Sequence, residues 1–266
     1  MPLCSHIRDL ADAIADAHAR HEVIPPPATA LTLTDGYAVQ AEVGRRVGGA
    51  VAAYKVGLTS PAAQQAMGTR EPIVGRLHAA DILHGNAVVP SGTRPRFAEA
   101  ELVVEIGRDL PPSNAPYDRD RVAAAVAAVH AGIELCSSRY AAEDVDIGAL
   151  VADNSNAEWL VVGDRLSTRW EDRFAALDAI LLRDGMPPVR GSTAAVMGDP
   201  LAALTWLANW LTARGEMLRQ GQFVATGSCT GITEIARETR LSSRFADGGE
   251  AHVRIGDPAD QGEEKE

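Results

Sequence analysis

The chain has 266 residues, 46% of them hydrophobic and 23% charged, with a formal net charge of −11. That length can bury a substantial core, and the composition is ordinary for a globular protein. The acidic excess argues against nucleic acid or an anionic membrane as a partner, because both require a positive surface. Three cysteines (Cys4, Cys136, Cys229) form no C-x-x-C pair and are odd in number, which suits a reducing cytoplasm better than a disulfide framework. The N-terminal stretch is mixed and charged, and nothing approaches the ~18 apolar residues of a membrane span. The expectation is a soluble cytoplasmic protein.

Residues 6–20 read as an amphipathic helix with Ile7, Leu10 and Ile14 on one stripe, ended by "IPPPAT". A second helix is predicted from about Thr34 as N-cap, with Val39, Val43 and Val47 four apart. "VAAYKVGL" alternates as a strand, with Val51, Ala53 and Lys55 on one face and Tyr54 and Val56 on the other. Proline and glycine in "TSP", "EPIVG" and "HGNAVVPSG" then punctuate short strands joined by turns.

"AEAELVVEIGRDL" is a strand whose apolar face is Ala100, Leu102, Val104 and Ile106, opposite Glu99, Glu101, Val103 and Glu105. "YDRDRVAAAVAAVHAG" reads as a helix, followed by a short strand, "IELCSS". "AEWLVVGD" and "LDAILLRDG" are further strands. "GDPLAALTWLANWLTARG" is the clearest helix, capped by Asp199, with Pro200 in its first turn and Gly215 beyond its end. "GQFVATGS" and "EAHVRI" are late strands. The predicted organisation is α+β: a helical segment over 1–50, a strand-rich mixed β domain over 51–256, and a disordered acidic tail over 257–266.

Lys55 and Lys265 are the only lysines in a chain that otherwise writes arginine. Either this is chance, or position 55 needs a compact ammonium whose pKa can move. Glu99 and Glu101 leave the same face of one strand. Two such carboxylates repel, and a divalent cation relieves them; a solvent-facing strand surface is the alternative, which Glu105 fits. Glu134, between Ile133 and Leu135, adds a third carboxylate where a lone charge is costly, unless it points outward from an edge strand. The glycine-rich "GSTAAVMGDP" and "ATGSCTG" match no phosphate-cradling pattern. Cys229 in "GSCTG" has nucleophile-elbow spacing, but an inert buried cysteine accounts for it better. His18 and His21 read as a polar helix face.

In chain order, "YKVGLTS", "EPIVGRL", "AEAELVVEIGRDL", "IELCSSRY", "VADNSNAEWLVVGD", "AAVMGDPLAALTWLAN" and "GQFVATGS" resemble the 2-keto-4-pentenoate hydratase/4-oxalocrotonate decarboxylase family. That family belongs to the fumarylacetoacetate hydrolase superfamily, and the resemblance runs over about residues 6–255. It implies the C-terminal-type fold of that superfamily and a metal-dependent lyase in meta-cleavage catabolism of aromatic compounds. It places Glu99, Glu101 and Glu134 on metal-ligand positions for Mg²⁺ or Mn²⁺ and Lys55 on the active-site lysine. Asp153, Asn154 and Ser155 match a segment lining the site. Thr226, Gly227 and Ser228 match a loop near the substrate, and Ile73 and Leu77 of "EPIVGRL" are further substrate positions. A small 2-oxo acid substrate and a homo-oligomer associated with a pathway partner enzyme are also implied.

The family's hydratases tend to carry an Asp where this chain has Ile73, whereas its decarboxylases tend to have "PI-G" and share "SRY" at Ser138–Tyr140. Glu158 and Trp159 match neither branch, and Trp159 with Ile73 would make an apolar wall. The expectation leans to decarboxylation of 2-oxo-3-hexenedioate (4-oxalocrotonate), with hydration of 2-hydroxypenta-2,4-dienoate as the alternative. A cysteine hydrolase using Cys229 and a non-catalytic scaffold are the readings from other classes.

Overall fold

Helices α1 (Ser5–Arg20) and α2 (Leu33–Val47) open the chain. The N-cap of α2 is Thr32 rather than Thr34. Thr32 Oγ1 accepts from Asp35 N at 3.1 Å, and the Asp35 carboxylate accepts from Thr32 N at 3.3 Å. Of the two threonines in "TLTD", only Thr32 has an acid three residues on, which is what a capping box requires.

The computed structural model describes residues 5–90, 96–142, 144–236 and 238–256; the predicted acidic tail, Cys4 and Lys265 lie outside the described residues. After α2 come β1 (Val51–Gly57), α3 (Pro61–Ala66), β2 (Ile73–His78), β3 (Ile82–His84), β4 (Ala87–Val89), β5 (Arg96–Ile106) and α4 (Arg119–Ala123). They are followed by β6 (Val126–Cys136), α5 (Ile147–Ala152), β7 (Ala157–Ser167), β8 (Asp178–Arg183), β9 (Met186–Ser192) and α6 (Pro200–Thr212). β10 (Phe223–Ser228), β11 (Thr233–Ile235), β12 (Thr239–Phe245) and β13 (Glu250–Ile255) complete the chain.

The second half of one predicted helix is strand. Asp118 caps a single turn at Arg119–Ala123, and from Val126 the "VAAVHAG" run is the first part of β6. Alanine favours a helix when nothing else decides. Here β6 pairs with β5 on one side and β7 on the other, so it is buried on both faces and shows no alternation. The unpredicted β9, with its two prolines, lies at a sheet edge, where missing N–H donors are tolerated.

Eight strands form one sheet in the order β2-β1-β10-β5-β6-β7-β3, with β11 paired to β5. Five form a second, β4-β13-β12-β8-β9. Leu102 and Val104 of β5 and Ile133 of β6 pack on one face of the large sheet with Leu181, Leu241 and Val253 of the second sheet and Leu204 of α6. The other face carries Ala53, Leu77, Val103, Leu160 and Ala225 as a separate cluster, and this inner face holds the ionisable groups described below. α1 and α2 pack on α5 through Ile7, Ile14, Val39 and Ala149. Among the described residues, no helix is long and apolar enough to cross a membrane.

α2 and α5 cross at paired glycines: a Cβ on Gly36 would meet the Gly148 carbonyl, and one on Gly148 would meet the Leu31 carbonyl. Backbone on both sides leaves no flexible neighbour to yield. Gly148→Ala is therefore expected to cost about 1–3 kcal/mol of stability, as overpacked cores do. Denaturant unfolding measures this, and a variant as stable as the parent would contradict the close crossing.

Candidate active site

Strand register brings the predicted residues together. Glu99 faces Glu134 across β5 and β6, and Glu101 faces Ser228 across β5 and β10. Lys55 pairs with Ala225, which pairs in turn with Val103 of β5. Directly opposed residues share a face, so Lys55, Glu99, Glu101 and Glu134 all leave the inner face. Gly75 opposes Lys55 on β2, where a Cβ would lie 2.8 Å from Lys55 Cγ. The lysine stem runs through that space.

Lys55 is 5% exposed, and Glu101 and Glu134 are 1% exposed. The solvent-facing alternative is thereby excluded for Glu101 and Glu134, while Glu99 is half-buried. Lys55 Nζ lies 3.2 Å from Glu134 Oε1, an ion pair without hydrogen-bond alignment that leaves this oxygen with no hydrogen-bond partner among the described residues. Glu101 Oε2 accepts from Gly227 N at 2.8 Å. Gly227 has φ 125°, and a Cβ there would meet Thr59, so glycine alone lets this N–H approach the carboxylate.

Three carboxylates against one ammonium make an acidic cluster. Burial and the Glu134 charge push the Glu99 carboxyl up, and burial with Glu134 and Glu99 pushes Glu101 well above the usual range. Burial works to lower the Lys55 pKa, but the surrounding acids, Glu134 foremost, raise it overall. The ammonium stays charged, and a proton or a cation must answer the remaining negative charge.

A cavity of about 300 Å³ opens on this cluster, lined by Lys55, Glu99, Glu101, Cys136, Ile73, Ser155, Asn156 and Ser228, among others. Glu134 sits beside it, against Lys55. A larger cavity of about 540 Å³ lies against α1, α2 and β2 and includes Leu77, Asp153 and Glu158. Arg45–Glu42, Arg76–Glu216 and Arg139–Asp153 ion pairs balance charges around it.

Several predicted residues are not brought to the smaller cavity. Leu77 is packed in the inner-face core. Thr226 points to the other face of β10, where its hydroxyl donates to Leu102 O at 2.9 Å. Trp159 stacks under the Arg96 guanidinium at 4.9 Å and packs against the outer core, so it is no wall of the cavity. Cys229 is buried among apolar neighbours, which pushes its thiol far above the range of a nucleophile. The sequence reading missed Cys136. It follows Glu134 by two residues within the predicted strand "IELCSS", the same spacing that links Glu99 to Glu101, and that spacing was the one signal pointing to it.

No protein-family model matches the chain. It is 30% identical over 260 residues to 4-oxalocrotonate decarboxylase of Pseudomonas putida, covering 96% of each chain. It is 32% identical over 232 residues to 2-keto-4-pentenoate hydratase of Burkholderia vietnamiensis (strain G4 / LMG 22486), covering 84% of this chain and 87% of the relative. Among solved structures, 4-oxalocrotonate decarboxylase from Pseudomonas putida G7, complexed with magnesium and adipate, matches with a TM-score of 0.85 at 29% identity, over 96% of this chain and 98% of that one. Fumarylpyruvate hydrolase from Pseudomonas aeruginosa, in complex with Mn²⁺ and pyruvate, shares the fold at a TM-score of 0.57 and 18% identity, over 77% of this chain and 88% of that one.

The segment from Asp153 to Asn156 forms part of the wall of both cavities. Asn154, Ser155 and Asn156 have φ of 54°, 57° and 59°, a conformation held by partners on either side. Asn154 pairs with Arg76 like a neighbouring strand, accepting from its N at 2.8 Å and donating to its O at 2.7 Å. Asp153 accepts from Arg139 N at 2.7 Å and Arg139 Nη1 at 3.1 Å. Its role in the structure is to anchor the segment. Asp153→Ala leaves the Arg139 guanidinium buried without its carboxylate and is expected to cost about 3–5 kcal/mol. Equilibrium unfolding tests this; parent-like stability would contradict the anchor.

Proposed function

The chain belongs to the 2-keto-4-pentenoate hydratase/4-oxalocrotonate decarboxylase family, and from that premise we propose that it is a divalent-metal-dependent lyase releasing CO₂ from 2-oxo-3-hexenedioate. One observation carries the choice of reaction. Among the described residues, every ionisable group lining the cavity belongs to the cluster on β1, β5 and β6; the rest of the lining is apolar or neutral, with Ile73, Leu58, Ala63 and Leu150 prominent. Adding water to a double bond requires an acid or base positioned away from that cluster, at the far end of the substrate.

The donors fit a hard cation. Glu99, Glu101 and Glu134 supply oxygen ligands, Glu134 Oε1 lacks a hydrogen-bond partner, and the cluster carries more negative charge than Lys55 offsets. Mg²⁺ or Mn²⁺ bound there would act as a Lewis acid toward a substrate 2-oxo group.

The remaining steps belong to the chain's own residues. Lys55 supplies a fixed positive charge for the substrate's C1 carboxylate or C2 oxygen and, where a cation offsets the acids that hold its proton, a proton for the latter. Ser228 offers a hydroxyl to the same end, and Ser155 lines the cavity with its hydroxyl donated to Val74 O at 3.3 Å. The apolar lining, Ile73 among it, keeps water from the distal carboxylate, whose charge disperses as the C5–C6 bond breaks. The bonding pair moves through the conjugated chain to the C2 oxygen, CO₂ leaves, and protonation of that oxygen gives 2-hydroxypenta-2,4-dienoate.

With Mg²⁺ or Mn²⁺, the protein is expected to release CO₂ from 2-oxo-3-hexenedioate faster than it hydrates 2-hydroxypenta-2,4-dienoate, and chelation should abolish turnover. Ile73→Asp should slow decarboxylation, because it sets a like charge near the departing carboxylate and hydrates the pocket. Efficient hydration without CO₂ would replace this reading with the hydratase one. Lys55→Arg keeps the charge but not the compact donor, and should lower turnover by roughly 10²-fold, the scale of a positioned acid–base group. Activity close to that of the parent would assign the lone internal lysine to chance.

A further inference from the structure

Cys136 ends β6, two residues beyond Glu134, so its side chain leaves the same inner face. It is buried, forms no disulfide, and lines the cavity. Its Sγ lies 3.7 Å from Glu99 Oε2, and the donor atoms of Glu99, Glu134 and Cys136 all lie within 4.8 Å of one another. Ligands roughly 2.0–2.4 Å from one ion stand at most about 4.8 Å apart, so small side-chain adjustments bring all three onto a common centre. The hydrogen-bond partner missing at Glu134 Oε1 marks the same spot.

We propose that Cys136 is a sulfur ligand of the divalent ion in this cavity, and that it shifts the site's preference from Mg²⁺ toward borderline ions such as Mn²⁺, Fe²⁺, Co²⁺ or Zn²⁺. The proposal rests on reading the cavity as a metal site. A set made of carboxylates alone suits Mg²⁺, which seeks hard oxygen donors. One thiolate adds a soft, polarisable donor that Mg²⁺ gains little from and later first-row ions bind well. When sulfur binds the ion, the thiol proton leaves to solvent and the cation takes its place. Cys229 is the internal comparison, since its Sγ lies 4.0 Å from Gly227 O and it belongs to the outer-face core.

Cobalt(II) titration of the metal-free full-length chain, followed by absorption, tests this directly. The expected result is visible ligand-field absorption together with a near-ultraviolet sulfur-to-cobalt charge-transfer band. That band should vanish in both Cys136→Ser and Cys136→Ala and persist in Cys229→Ser. By calorimetry, Cys136→Ser should weaken Co²⁺ binding by roughly tenfold or more, with Mg²⁺ affinity changed far less. Ligand-field absorption without the charge-transfer band in the parent, or a band that survives Cys136→Ser, overturns the sulfur ligand and leaves the oxygen site standing. A parent chain that binds no Co²⁺ overturns both.

Discussion

The contact between Lys55 Nζ and Glu134 Oε1 at 3.2 Å is the point on which the site's electrostatics turn. It joins strands that are not neighbours, because β10 and β5 lie between β1 and β6 in the sheet. An attraction at this range is worth about 5 kcal/mol at an effective dielectric constant of ~20. Burying each ion costs several kcal/mol, so one pair cannot also offset Glu99 and Glu101. The fold thus holds an acidic cluster in a state that is incomplete without added positive charge.

Much of the surrounding structure keeps that cluster in place. The second sheet and α6 cover the outer face of β5 and β6, leaving the inner face for the charged groups. Gly75 gives the lysine stem its path, and Gly227 brings an N–H to Glu101. The Arg139–Asp153 pair fixes the start of a left-handed turn whose next residues reach the cavity. The close crossing of α2 and α5 sets where that turn begins, which ties the N-terminal helices to the site.

The i,i+2 placement of Glu99 and Glu101 was legible in the sequence, because strand alternation fixes a shared face without reference to any partner. So was the anomaly of Lys55 in an arginine-rich chain. The ordered motifs carried the family and the α+β fold. What escaped depended on tertiary neighbours. The first part of β6 looked helical because alanine says nothing about a strand buried on both faces. Thr226 and Ser228 looked equivalent in "ATGS", yet they fall on opposite faces of β10. Asp153 looked like a substrate-binding residue from the sequence, which does not show the guanidinium partner, fourteen positions earlier, that anchors it.

Decarboxylation and hydration share the charged end of such a cavity and differ in what the other end offers. A lining that is otherwise apolar or neutral, with no further ionisable group among the described residues, favours loss of a carboxylate over addition of water. Both, however, presuppose the cation that the acids require. Anomalous diffraction from a crystal soaked in Mn²⁺ tests that requirement most directly. The account expects a single strong peak within bonding distance of the Glu99, Glu101 and Glu134 carboxylates, beside Lys55. A structure at saturating Mn²⁺ with no peak there, or with manganese bound only elsewhere, would contradict it.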